Sequence, residues 1–425
     1  MLSQEVEERL AEHLVKRIED TNTYILKKIG EAIKQISTLT PSQAHQIEQI
    51  LKYGGTYEDI AKQLAKASGK NVKDIYKIFE KVAKDNKEFA RQFYKYRGIG
   101  YIPYNKDTAL QNMVRSIGDI TAKEYLNIAR TTGVGFLFED INGQTYFKNI
   151  KDSYYEIIDR GILSISQGKE TFDTEMRKIM KQLGNNGLVM YKSGRTRRLD
   201  SAVRMSLLDG IREVNNETTK RFGEEYDADG VEISVHANPA PDHADVQGRQ
   251  FSTIKPSENE LSEWEKLEAG EIAKDYNGVS RQLEHSKNGS YRQISQYNCY
   301  HRISNVVLGV SKPMYTEEQL NEIQETNLKG FEYEGKHYTM YEGTQLQRRI
   351  ETEIRKAKDT QILARSAGDN DLVGQSQLKI TQLTHKYNEL CNVSGLAPVK
   401  QRMSVSGYRR VKVWELLLIK RQLKK

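Results

Sequence analysis

Cysteine and histidine carry the versatile chemistry in this chain, and a few of them fall close together. Cys299 and His301 lie two residues apart, so on an extended stretch both side chains leave the same face. His243, with either His236 or Asp242, adds two more donors. One thiolate, two imidazoles and a further imidazole or carboxylate make a zinc-type ligand set. More than 50 residues separate the halves, and spacing alone does not bring them together. The alternative is a small core cysteine with histidines bonded to loop backbone. Both readings stay open, so the cofactor expectation is none or a zinc ion. Cys299 as a thiolate nucleophile lacks a glycine-rich elbow or an oxyanion-hole signature. No P-loop, GxGxxG or HExxH occurs, and nothing in the sequence requires catalysis.

His236 and His243 belong to the stretch YDADGVEISVHANPAPDHADVQGRQFS, Tyr226 to Ser252. Val231, Ile233 and Val235 alternate with Glu232, Ser234 and His236, which predicts a strand with the first set inward and the second outward. Pro239 and Pro241 end it. In the loop that follows, Gly248 allows a sharp return, Phe251 plugs the core, and Arg249 forks onto Asp242 or Asp245. Asp242 and His243 pin this structural loop.

Helices must position these pieces. A stripe of Val6, Leu10, Leu14, Ile18, Ile25, Ile29 and Ile33 predicts a first helix from Ser3 to about Ile36. Thr40-Pro41 opens a second, ended by Gly54 and Gly55, and Thr56 restarts a third. Ser68-Gly69 is expected to stop it and Asn71 to cap a fourth. Ala65, Gly69, Ile75 and Ile78 then match helix-turn-helix spacing, although Lys70 departs from it, and plain packing is the competing reading. A Tyr-rich joint, Phe93 to Lys106, follows, and Asp107 caps the next helix. Asn142-Gly143 suggests a hairpin turn. Helices resume near Asp152 with breaks at Gly161 and Gly168, and Glu258 to Glu271 reads as a short helix. A charged helical tail from Leu346 to about Asn388 is interrupted at Gly368 to Asp371, with Ile350, Ile354, Leu378, Ile380 and Leu383 on its buried side.

Charge is uneven. Tyr341 to Lys425 holds 17 Lys or Arg against 8 Asp or Glu, a net +9, while the first 340 residues sum to −2. That end, with Arg409, Arg410, Lys412, Lys420, Arg421, Lys424 and Lys425, suits an acidic partner, nucleic acid or protein, or is a solvated face. Arg195, Arg197, Arg198 and Arg204 gather at a helix start and want an anion, a carboxylate within the protein or a phosphate. Two cysteines imply no disulfide framework. The first 20 residues lack an apolar secretion core, and no run approaches about 20 apolar residues. A soluble protein made where it works is expected.

In linear series, SGRTRRLDSAVRMSLLDGIREVN, the Tyr226–Ser252 stretch, NCYHRISNVVLGVSKPMYTEEQL, YEGTQLQRRIETEIRKAKDTQ and VSGLAPVKQRMSVSGYRR resemble the phage minor capsid protein 2 family. The likeness covers nearly the whole chain, and it is similar to the Mu-type head-morphogenesis proteins. In that wider group a His–Gly loop and a Cys-x-Cys pair recur. His243 and Gly248 match the loop and Cys299 the first cysteine, but His301 stands in place of the second. The resemblance implies a low-copy minor head protein of a tailed bacteriophage, in the virion and in the host cytoplasm during assembly. Its implied partners are portal, major capsid or scaffold proteins and the packaged DNA.

The expected fold is mainly α with a small α+β domain: a helical N-terminal domain (1–105), a helical middle domain (106–225), an α+β domain with the His/Cys loop (226–335) and a basic helical tail (336–425). The expected function is structural, not enzymatic. A DNA-binding head protein acting through its basic tail is the first alternative. A metal-dependent hydrolase centred on His243, Cys299 and His301 is the second.

Overall fold

The computed structural model describes residues 4–39, 55–129, 134–140, 142–185, 189–190, 196–285, 291–295 and 299–411. The helix expected from Thr40-Pro41 to Gly54 lies outside them, as do Arg195, Lys412, Lys420, Arg421, Lys424 and Lys425. In chain order the elements are α1 (Gln4–Ser37), α2 (Thr56–Arg97), α3 (Thr108–Ala129), β1 (Gly135–Glu139), β2 (Thr145–Asn149), α4 (Ile150–Ser166) and α5 (Lys169–Asn185). After these come β3 (Val189–Met190), β4 (Thr196–Arg197), α6 (Leu199–Glu225), β5 (Gly230–Ile233), β6 (Gln250–Ser252) and α7 (Glu263–Glu268). The rest are β7 (Ala273–Lys274), β8 (Ser280–Arg281), β9 (Ile303–Val306), α8 (Glu317–Lys329), β10 (Phe331–Tyr333), β11 (Lys336–Tyr338), α9 (Met340–Ala367) and α10 (Asn370–Ser394). The protein is mainly α with small antiparallel sheets, as expected. No helix among the described residues is long and apolar enough to cross a membrane.

Two compact units share the chain. One comprises Met1–Ala11, Asp74–Ala122 and Met205–Gln345; the other comprises Glu12–Lys73, Lys123–Arg204 and Leu346–Lys425. In the second unit the α1 stripe of Leu14, Ile18, Ile25, Ile29 and Ile33 is fully buried. At Gly30 a Cβ would stand 2.5 Å from Ser366 Cβ, so the glycine lets α1 and α9 approach closely. Asp369 caps α10 by accepting from the Leu372 N–H, at the interruption expected there, and Arg177 forks onto the same carboxylate. The β1–β2 hairpin turns through Asn142-Gly143 with Gly143 at φ 79°, as its sequence predicts.

Several sequence expectations are corrected. α2 does not stop at Ser68-Gly69 but runs unbroken from Thr56 to Arg97. Ser68 Oγ donates to the Leu64 carbonyl one turn back, and Asn71 spends its side chain on the Leu14 carbonyl and Arg17 rather than on a cap. With no turn between Ala65 and Ile78, the helix-turn-helix reading falls. Because α2 extends to Arg97, Phe93 is helical, and the joint begins at Gly98. Gly161 lies inside α4, where a Cβ would stand 3.0 Å from Ile36. Leu378 is 59% exposed, because the buried face of α10 runs through Leu372, Val373, Gln377 and Ile380 instead.

The first unit carries the three-stranded sheet β6-β5-β9, antiparallel throughout. Val231 and Ile233 on β5 and Phe251 on β6 pack with Val246, Trp264 and Leu267. Burying these side chains contributes about 1.5–3 kcal/mol each. The outward face expected for Glu232 is covered too: Glu232 is 8% exposed and accepts from Gln250 Nε2 at 2.7 Å across the ladder. Asn305 on β9 donates to the Thr219 carbonyl of α6 at 2.5 Å, and a Cβ at Gly223 would stand 2.6 Å from it. Helix and sheet edge therefore meet at a glycine.

Candidate functional site

Pairing of β5 with β9 closes the sequence gap between the histidines and the cysteine. Ile233 stands opposite Ile303, and Ser234 and Arg302 continue the pairing by exchanging hydrogen bonds of 2.8 Å. Residues just beyond the two strand ends are thereby neighbours: His236 follows β5, and Cys299 and His301 precede β9. His243 arrives from the short 3-10 turn Pro241–His243. Gly248 makes the return to β6 at φ 70°, where only glycine sits without strain.

Cys299 Sγ lies 3.2 Å from His243 Nδ1 and 3.3 Å from His301 Nδ1. One ligand atom from each of the three residues lies within 4.8 Å of the others. All are buried, His243 at 0%, Cys299 at 2% and His301 at 4% exposure. His236 stacks edge-on to His301 with ring centroids 4.5 Å apart, and its buried Nε2 has no hydrogen-bond partner among the described residues.

The outer ring nitrogens fix the tautomers. His243 Nε2 is 2.7 Å from the Arg292 carbonyl oxygen, which only accepts, so Nε2 carries the hydrogen. Gln247 Oε1 accepts from the His236 backbone N–H at 2.9 Å, which identifies it as the amide oxygen. His301 Nε2, 3.2 Å from that oxygen, must donate as well. In the neutral ring each Nδ1 then turns a lone pair toward the cysteine sulfur.

Burial governs the protonation of the cluster. It pushes His301 well below the ordinary histidine value and lowers His243 and His236. It raises the Cys299 thiol.

The supporting loop differs from expectation in its pairings. Asp242 and His243 do pin it, but Asp242 is taken by Arg292, Nε to Oδ2 and Nη2 to Oδ1, each at 3.0 Å. Asp245 is taken by Arg281 at 3.0 Å. Arg249 therefore pairs with neither; its Nη2 donates to Glu317 on α8 at 2.9 Å, and Phe251 is fully buried. Asp242 lies 3.8 Å from His243 Nε2, on the nitrogen that does not face the sulfur, so it stands outside the cluster. Sequence reasoning missed Gln247 and Arg292 as supports. Gln247 was visible only as one polar loop residue among several, and Arg292 carried no signal.

Arg198 is buried against Asp200 at 3.0 Å and against Asp359, so its charge is spent inside the protein rather than on an external anion. Arg197, Arg409 and Arg410 are exposed. A cleft of about 520 Å³ opens beside the loop, lined by Pro241, Asp245, Gln247, Arg281 and Leu320.

Comparison with known proteins gives one family. The model described as phage minor capsid protein 2 matches residues 4–392, nearly the whole chain. No curated protein and no solved structure matches it.

Proposed function

The chain belongs to the phage minor capsid protein 2 family, and from that premise we propose that it is an internal head protein seated near the portal, assisting capsid assembly and DNA packaging or delivery. Membership carries a structural role in the phage capsid and contact with other head components. The family match over residues 4–392 is the observation that carries the proposal. The finer assignment adds portal and major capsid or scaffold proteins as partners, with synthesis in the host cytoplasm.

Mass spectrometry of purified virions and of DNA-free heads tests this. Low-copy recovery in both, lost together when the portal is deleted, is the expected result. Absence from assembled particles overturns it.

The net charge of +9 beyond residue 340, with Arg409 and Arg410 exposed, favours a second role in which the tail touches packaged DNA. Such binding weakens steeply with salt as counterions return. A variant with Gln at Lys412, Lys420, Arg421, Lys424 and Lys425 should bind less tightly and with a shallower salt slope. Equal binding at every salt concentration removes the DNA role.

The reading includes no catalytic step. A metal-dependent hydrolase needs an open coordination position reached by water, and His243, Cys299 and His301 are each at most 4% exposed.

A further inference from the structure

We propose that Cys299 Sγ, His243 Nδ1 and His301 Nδ1 bind one zinc ion, with His236 Nε2 closing a four-coordinate structural site. The proposal stands apart from the head-protein reading, since it concerns how the β5–β9 region is held together.

Proton counting carries the argument. Both outer nitrogens are committed as donors, His243 Nε2 to the Arg292 carbonyl and His301 Nε2 to Gln247 Oε1. With both rings neutral, two Nδ1 lone pairs face one sulfur at 3.2 and 3.3 Å. A thiol has a single hydrogen and satisfies one of them; the other would face sulfur with nothing between. A divalent cation removes this conflict by taking both lone pairs and a thiolate at once.

The distances agree with zinc. Zn–N bonds of about 2.0–2.1 Å and a Zn–S bond of about 2.3 Å, at tetrahedral angles, set N···S at about 3.6 Å. The cage therefore opens by only a few tenths of an ångström. Outer-sphere carbonyls on both ligand histidines are the usual second layer of such sites. Mixed imidazole and thiolate donors favour zinc over magnesium or calcium, which take oxygen.

The fourth position separates two candidates. Asp242 has both oxygens on Arg292 and lies behind His243 Nε2. His236 Nε2 is buried with no partner among the described residues, and its ring already touches that of His301. It stands outside the 4.8 Å group, so its side chain turns inward when the ion binds.

Zinc content of the full-length protein, together with the visible spectrum of the cobalt-substituted form, tests the assignment. One equivalent of zinc and a thiolate-to-cobalt charge-transfer band with intense d–d bands are expected. Cys299→Ser should lose the charge-transfer band and at least 100-fold in zinc affinity, while Cys391→Ser keeps both. If Cys299→Ser does not fold, the wild-type cobalt spectrum still decides. His236→Ala should weaken binding and alter the d–d bands. Wild-type protein that takes up no zinc or cobalt when purified and titrated overturns the site. Zinc retained without any thiolate band overturns the ligand set, and an unchanged His236→Ala spectrum overturns the fourth ligand.

Discussion

Gln247 holds His301 in one tautomer: its Oε1 lies 3.2 Å from His301 Nε2 and also accepts the His236 backbone N–H at 2.9 Å. One amide oxygen thus ties the end of β5 to the segment entering β9. Gln247→Ala leaves two buried donors without an acceptor, a loss of about 1–3 kcal/mol. Urea unfolding should report that drop. With zinc bound, loss of the outer-sphere acceptor should also weaken metal affinity by about 10–100-fold.

Gly248 is the hinge on which the loop turns back. Its φ is 70°, and a Cβ there would stand 2.5 Å from Leu320 Cδ2 and 2.9 Å from Val235 Cγ2. Gly248→Ala combines backbone strain with overpacking, so a destabilisation of about 1–3 kcal/mol is expected. The thermal midpoint should fall. A midpoint equal to that of the parent would mean that the loop adopts another backbone course.

Glu156 on α4 gives a pH signature. Burial raises its carboxyl, but hydrogen bonds from Lys148 at 2.6 Å, Arg160 at 2.7 Å and Tyr146 at 3.0 Å outweigh this and bring it down to about 2. A carboxyl depressed in the folded state stabilises above its unfolded value, near 4.5, and loses that contribution as pH falls toward 2. Allowing for solvent screening, the contribution is about 1–2 kcal/mol at neutral pH. Glu156→Gln should therefore cost that much at pH 7 and almost nothing near pH 2, measured as the difference in unfolding free energy from the parent.

What the sequence revealed and what it hid divide along sequence distance. The Asn142-Gly143 turn, the Asp107 cap and the α9–α10 interruption are legible because the residues that cause them are adjacent. The Cys299–His301 pair was legible for the same reason, and its meeting with His243 followed only from strand register. Arg249 finds Glu317, Glu232 finds Gln250, and Glu7 finds both Arg212 and Arg302. Each partner is chosen by packing, and no local pattern announces it. Glu232 shows the cost of reading alternation alone: it is 8% exposed and accepts from Gln250, which stands opposite it on β6.

Gly69 tests the most consequential of these corrections, the single helix from Thr56 to Arg97. Nothing lies within 4 Å of where its Cβ would be, and its backbone is helical rather than left-handed. In a helix interior, glycine is about 0.8–1.0 kcal/mol less favourable than alanine. Gly69→Ala should therefore stabilise the protein by about that amount and raise helical content slightly. Were the chain to turn at Ser68-Gly69, a Cβ at a left-handed position would instead destabilise it by about 1 kcal/mol or more. The sign of the change, read from denaturant midpoints, separates a continuous rod from a helix-turn-helix corner. A loss of stability would restore the turn, and with it the helix-turn-helix reading in which Ile75 and Ile78 are core residues.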